Sequence, residues 1–516
     1  MTHGAHGSPG KGSVSFALFL FAVWLVPFVV LATLNSAGYR YGASDQAFYL
    51  PAVFAELDPA LYPRDRGLID SQARLTRIDE TMAAIVRVTG ADFPPLYATL
   101  YVVSLILLAT AGWLIAMRMY RTRAAAVALL AALTLRHAIA KSGTNSLEAY
   151  FHPRQLAFGL GAIAIAAFLR GGLVLPAVLV LAAALLHPTT AMWFAIWLAV
   201  AAFVSERRLR VPLAAAAIAG AACGAWALTA GPLAGRLIVM DPEWLATLET
   251  KDYLFPFEWP LTVWLLNLGY IPIILYVYRR RAALGLTVPR EGAAVAGCLS
   301  LLLVFAGALP LTVTHVALAI QLQTPRVFWM LDFLAVVYAV WALAEWSAGP
   351  STRRAAVVAG AIMAFSVARG VYVMFVAFPE RRIAQIRVTD DDWGRVMAWA
   401  RTTPKDSGWI ADPMHAVKYG TSVRVAGQRD VLVEAVKDMA IGMYSRNIAM
   451  RTKERSAALE LFEAMTPERA RALGAKYGLD YLVTEQPLDL PTAFESGALR
   501  VYHLAPSASG ARRPPG

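Results

Sequence analysis

Cysteine is nearly absent from this chain: two in 516 residues, Cys223 and Cys298, both within apolar stretches. That excludes a disulfide framework and any zinc site built on paired Cys-x-x-Cys ligands, and each thiol reads as a small buried packing residue. Charge is also scarce, at 16% Asp, Glu, Lys and Arg against 58% hydrophobic residues. With a mean hydropathy of +0.52, the chain is too apolar for one soluble core of this length. A phosphate-binding Gly-Lys-Thr loop, a Gly-x-Ser-x-Gly nucleophile elbow and a usable internal repeat are all missing. The eight histidines are scattered, so a zinc site would have to be assembled in space.

What the chain has is long apolar runs. The first, residues 14–34, has the roughly 20 residues that cross a hydrocarbon core. A cleaved secretory signal is the competing reading, because Ser36-Ala37-Gly38 offers small residues, but the run exceeds the ~7–15 residues of a signal core. Further runs cover 94–117, 124–139, 155–169, 173–187, 189–204, 211–230, 259–278, 292–310, 326–346 and 355–376. The fold class expected is therefore mainly α, a polytopic helical membrane protein of about eleven spans. The shorter runs, 155–169 and 173–187, must tilt, borrow flanking residues or cross incompletely.

Charge placement sets an orientation. With residue 1 inside, the inner segments hold fourteen Lys and Arg against only Glu206, Glu291 and Glu345, an excess of eleven that nearly equals the whole formal charge of +12. The excess is a topology signal and not a nucleic-acid surface. An odd span count then puts the N-terminus inside and the C-terminus outside the cytoplasmic membrane.

The domain plan that follows is a disordered inner tail at 1–12, a transmembrane domain at 13–378 with a long outer loop at 35–93, an extracytoplasmic α/β domain at 379–505 and a disordered tail at 506–516. In the α/β part, Thr389 or Asp390 is placed to cap a helix carrying Trp393, Val396, Met397 and Ala400. Residues 409–411, 431–433, 481–483 and 499–502 read as strands, and 444–477 as helical with a break at Thr466-Pro467. In the first loop, Leu75, Ile78, Met82 and Ile85 fall on one helical face among Arg74, Arg77, Asp79 and Glu80. That predicts an amphipathic helix lying on the outer leaflet or against the outer domain.

Asp45 is the best placed acid for chemistry, since a carboxylate in a partly enclosed site can act as a general base or bind a divalent cation. The bland alternative is that Ser44 or Asp45 caps the helix starting at Gln46. His137, His152, His187 and His315 all map to outer span ends. With Arg154, Gln155, Gln321, Gln323 and Arg326 they outline a polar outer cavity, in which an arginine fork can hold phosphate oxygens while a lipid stays in the bilayer. Snorkelling of the two arginines is the alternative. Asp332, deeper in the span of Arg326 and about 240° round its helix, is expected to pair with another span.

The runs Asp45-Gln-Ala-Phe-Tyr-Leu-Pro, Leu61-Tyr-Pro-Arg-Asp65, Phe151-His-Pro-Arg-Gln155, Leu186-His-Pro188, Gln323-Thr-Pro-Arg326 and Trp399-Ala-Arg-Thr-Thr-Pro404, together with the overall plan, carry a resemblance. The chain resembles GT-C type membrane glycosyltransferases and, more narrowly, a bacterial multi-pass family of that type of unknown function. The resemblance implies transfer of a sugar from a polyprenyl-phosphate carrier to an acceptor on the outer face, with membrane lipid and the lipid-linked sugar as partners. Asp45 would be the base or metal-linked acid and Arg154 and Arg326 would hold the donor phosphate, with His152, Gln155, His187 and Gln323 as the further substrate-binding candidates read from the polar outer cavity; a divalent metal ion is a possible cofactor. Relatives often carry a second acid beside this Asp, where Gln46 stands here. A transporter or flippase for a lipid-linked substrate, expected to show paired broken helices, and a catalytically silent accessory protein are the competing classes.

Overall fold

The computed structural model describes residues 11–73 and 76–504. The expected tails, 1–12 and 506–516, fall outside these residues, except that 11 and 12 open the helix Lys11–Asn35. The fold is mainly helical. Among the described residues seven helices are long and apolar enough to cross a membrane: Phe93–Met119, Pro188–Ser205, Arg207–Thr229, Leu261–Ala283, Glu291–Val313, Ala317–Glu345 and Thr352–Ala377. Four more apolar helices are shorter, at Phe21–Asn35, Arg123–Leu133, Pro153–Leu169 and Val174–Leu186. The run read as 124–139 is helical only to Leu133, because residues Ala138–Ile139 turn into a small antiparallel hairpin with Thr144–Asn145.

Packing differs sharply among these helices. Pro153–Leu169 is enclosed by its neighbours, and its glycines are the reason they come so close. A Cβ on Gly161 would stand 2.1 Å from the Phe194 ring, and one on Gly159 would stand 2.7 Å from Leu107. Arg210–Thr229 is the opposite case, with no buried residue at all. Cys223 on that helix is exposed, so only Cys298 is the buried packing thiol expected from sequence; the helix meets too few neighbours to cover any face. Cys298, by contrast, sits on Glu291–Val313, one face of which packs into the helical core.

The C-terminal part builds one five-stranded sheet, in spatial order Asp430–Val431, Gly408–Ile410, Tyr481–Thr484, Leu499–His503, Thr492–Ser496. The first three strands are parallel and the last two antiparallel. Strand alternation sorts its core into two layers. Trp409, Val431, Tyr481 and Val483 pack with Trp393, Val396 and Met397 of the helix Asp392–Ala400 on one face. Ile410, Leu432 and Leu482 pack with Ala470 and Leu473 of the helix Pro467–Tyr477 on the other. The cap of Asp392–Ala400 is Asp391, whose carboxylate accepts from the Gly394 N–H, one residue beyond the two candidates read from sequence. Thr466 caps Pro467–Tyr477, as a Thr-Pro start requires.

The long first loop is a structured connector between the helical part and the sheet. Its strand Tyr39–Arg40 pairs in parallel with Ala384–Gln385. Asp65 is fully buried, binds Arg424 Nε at 2.7 Å, and also meets Arg451; Arg424 in turn forms a fork to Asp438 at 2.6 and 2.9 Å. Removing one member of such a network would strand a buried charge at a cost of about 3–5 kcal/mol. The amphipathic helix is Ile78–Thr89, and its apolar face packs on protein other than the C-terminal part. Ile78, Met82 and Ala83 pack on Val53 of the loop's own first helix, with Phe93, Leu100 and Leu186 beside them, because that protein surface offers the apolar partner nearest in the chain. Leu75 and Arg74 fall outside the described residues.

Candidate functional site

A cavity of about 620 Å³ opens where the first loop, the starts of several helices and the C-terminal part meet. Asp45, His152, Arg154, His187, Gln323 and Arg326 all line it. The roof comes from the helix Ala435–Gly442 and the Met443-Tyr444 pair that follows. Seven Lys and Arg face the cavity and only two carboxylates, Asp45 and Glu148. That imbalance is an attractive field for a multiply charged anion.

Asp45 precedes the helix Gln46–Leu57 but does not cap it: its backbone is helical, with φ −68° and ψ −12°, and its side chain makes no cap bond. Ser44 before it is held at φ +54°, a left-handed conformation uncommon for a side-chain-bearing residue. The carboxylate is aimed into the cavity. Oδ1 accepts from Lys437 Nζ at 2.5 Å, and Oδ2 accepts from His152 Nε2 and from the Tyr150 hydroxyl, each at 3.2 Å. Burial pushes this carboxyl up, but Lys437 first and then His152 and Arg154 outweigh it and hold it well below the usual carboxylate range. With Lys437 in place Asp45 is a poor proton acceptor.

The two His-Pro dipeptides are helix starts, with proline at the first helical position and histidine as cap. His152 Nδ1 accepts from the Arg154 N–H at 3.0 Å, and His187 Nδ1 accepts from the Thr190 hydroxyl at 2.9 Å and its N–H at 3.3 Å. Capping therefore fixes the tautomer: the ring proton is on Nε2. Burial and the neighbouring Arg154 push His152 down to about 3 against the pull of Asp45, and burial with His152 pushes His187 down as well. Both rings, 6.0 Å apart between centroids, are neutral hydrogen-bond donors at physiological pH.

The two arginines differ. Arg154 is buried and engaged, with Nη2 on Glu148 at 2.8 Å. Arg326 has no ion-pair or side-chain hydrogen-bond partner among the described residues, and its Nε, like that of Arg154, is a buried donor left unsatisfied. An unpaired guanidinium of this kind is costly unless a ligand completes it. The Thr324–Arg326 turn before the helix Val327–Glu345 places it, and Gln323 enters that turn at φ +49° while its amide reaches Tyr444 at 3.3 Å.

Of the residues singled out from sequence, Gln155 does not reach the cavity; its amide instead faces the carbonyls of Asn145 and Ser146 at 3.4 and 3.3 Å. One residue beyond Arg154, it is turned about 100° round the helix. His315 packs against Phe255 and Phe257 away from the site. His137 meets Asp332 at 3.0 Å, so the acid inside the span pairs across elements as expected. Lys437, Lys251, Arg236 and Tyr444 also line the cavity, and local sequence gave no signal for them: none lies in or beside a His-Pro motif.

Among the described residues no group of three or more His, Cys, Asp or Glu could hold a metal ion, and the cavity's two carboxylates are already paired to Lys437 and Arg154. The residues present do not fit the divalent ion that the resemblance implies. No protein-family model matches the chain, and no curated protein matches it.

Proposed function

We propose that this protein is a multi-pass glycosyltransferase of GT-C type in the cytoplasmic membrane, moving a sugar from a polyprenyl-phosphate carrier to an acceptor on the outer face. The observation that carries the reading is the cationic cavity itself, which gathers Asp45, two neutral histidines and an unpaired Arg326 into one space. In this reading the chain has about eleven spans, N-terminus inside and C-terminal sheet outside, on the strength of the inner Lys and Arg excess. The bare apolar surface of Arg210–Thr229 suits a lipid neighbour.

The chemistry follows from the placement. Arg326 holds the carrier phosphate, and Phe48, Met192 and Leu322 offer apolar wall to the first isoprene units. Asp45 takes the proton of the acceptor hydroxyl as that oxygen bonds to the anomeric carbon, and the carrier phosphate leaves with the electron pair of the broken C–O bond. His152 and Tyr150 hold Asp45 from the opposite side. A second cavity of about 700 Å³, sharing Arg236 and Tyr444 with the first and bordered by Ser71, Ser445 and Asn447, has the hydroxyl and amide groups that would suit a polar acceptor.

The test is mass spectrometry of lipid-linked sugars and envelope glycans in cells with and without the gene. The reading expects one glycan to disappear and one sugar-phosphoprenol to accumulate on deletion. Identical profiles would reject it.

A further inference from the structure

We infer that Lys437 is a ligand-operated latch: with the cavity empty it neutralises Asp45, and a phosphate bound at Arg326 draws it away and frees Asp45 Oδ1, while His152 and Tyr150 keep Oδ2 in place. This rests on the reading of the cavity as a phosphate site.

Three observations meet here. First, Lys437 Nζ lies 2.5 Å from Asp45 Oδ1, and among the described residues its one other side-chain hydrogen bond is to the Ser44 hydroxyl at 3.2 Å. The ammonium therefore has one anionic partner, which an incoming phosphate with more charge and more acceptor oxygens can outbid. Second, Arg326 is already unpaired in the same cavity, so a phosphate there meets one guanidinium with no acidic partner, and Lys437 adds a further cation when it swings on its four-carbon stem. Third, the lysine comes from a different part of the chain from the rest of the site. Its helix is anchored by Asp438, next to it, through Arg424 to the buried Asp65 of the first loop. The helix stays put while the side chain moves.

The latch explains why a carboxylate placed to accept a proton is held in an ion pair that suppresses that role. It protects the site from idle protonation and couples base release to donor arrival. Binding and release are linked reciprocally: whatever loosens Lys437 from Asp45 must tighten phosphate.

Binding of inorganic pyrophosphate and of a ten-carbon prenyl phosphate to the full chain in detergent, measured by calorimetry, tests this directly. Asp45→Asn should tighten binding about fivefold or more, and Lys437→Gln should weaken it by a similar factor or more. In the Lys437→Gln background the gain from Asp45→Asn should vanish. An equal gain in both backgrounds would mean that general charge and not the latch is at work, and no gain would also overturn it. A readout on the native pair does not depend on the Asp45 variant folding: the ¹³C signal of dimethylated Lys437 should shift when either phosphate is added, and a fixed signal contradicts the latch. Pyrophosphate binding as tight as prenyl phosphate would reject the lipid-carrier reading while leaving the latch intact. Glycan profiles that ignore gene deletion would reject transfer without touching the latch.

Discussion

Asp45 Oδ1 and Lys437 Nζ stand 2.5 Å apart although 392 positions separate them in the chain. The contact joins the long first loop to the helix Ala435–Gly442 of the C-terminal part. It makes that part a wall of the cavity and more than a neighbour of it.

Asp45→Asn should abolish glycan transfer and leave the fold intact. The side chain caps nothing, and its ion pair borders the cavity, with 24% of the Asp45 side chain and 17% of the Lys437 side chain exposed, so Lys437 can turn to the cavity when the pair is lost. Transfer assayed in membranes beside a thermal melt of the same preparation checks both halves. Wild-type transfer by this variant removes Asp45 from the chemistry.

Glu148→Ala acts on stability and binding together. Arg154 and Glu148 are 3% and 4% exposed at the side chain, so deleting the acid leaves a buried guanidinium uncompensated, at a cost of about 3–5 kcal/mol. A melting temperature unchanged from wild type would show that water or another acid reaches Arg154.

Glu434 sets a pH dependence. Burial first, and Asp438 second, raise its carboxyl to about 8 against the partial pull of Arg424 and Lys437. An unfolded glutamate titrates near 4.5, so the folded state holds a proton that the unfolded state has lost. The associated stability is full below pH 4.5 and is lost as pH rises through about 8. Glu434→Gln should flatten the melting temperature between pH 5 and pH 9 and raise it at the upper end. A variant that follows the wild-type curve would show that the group is ionised throughout.

Gly161→Ala should destabilise by overpacking, since the added Cβ would meet the Phe194 ring at 2.1 Å. A cost of about 1–3 kcal/mol is expected, together with a narrowed seat for the His-Pro starts of both helices. Thermal unfolding measures it, and a neutral result would mean that Phe194 has another rotamer open to it.

What was legible in the sequence was what local pattern can encode. Every apolar run is at least partly helical, the four strands read from Val, Ile and aromatic clusters are in the sheet, and the His-Pro dipeptides mark helix starts. Asp45, His152, Arg154, His187, Gln323 and Arg326 meet because helix ends on one side of a bundle converge. Spans are harder, because hydropathy does not reveal that Pro153–Leu169 is covered by protein while Arg210–Thr229 is bare. The strand Thr492–Ser496 was missed since its polar Thr-Ala-Phe-Glu-Ser sequence carries little strand signal. Lys437 was invisible because a lysine on a short mixed helix looks solvated until the fold brings Asp45 to it, and the same long range hides Asp65 as a buried anchor.

The most direct measurement is a lipid and glycan profile of cells in which Asp45→Asn replaces the native gene at equal membrane abundance. The sugar-phosphoprenol should build up and its product glycan should fall to the level of the deletion strain. A profile matching the wild type, with the variant present and folded, would contradict a transferase built on Asp45.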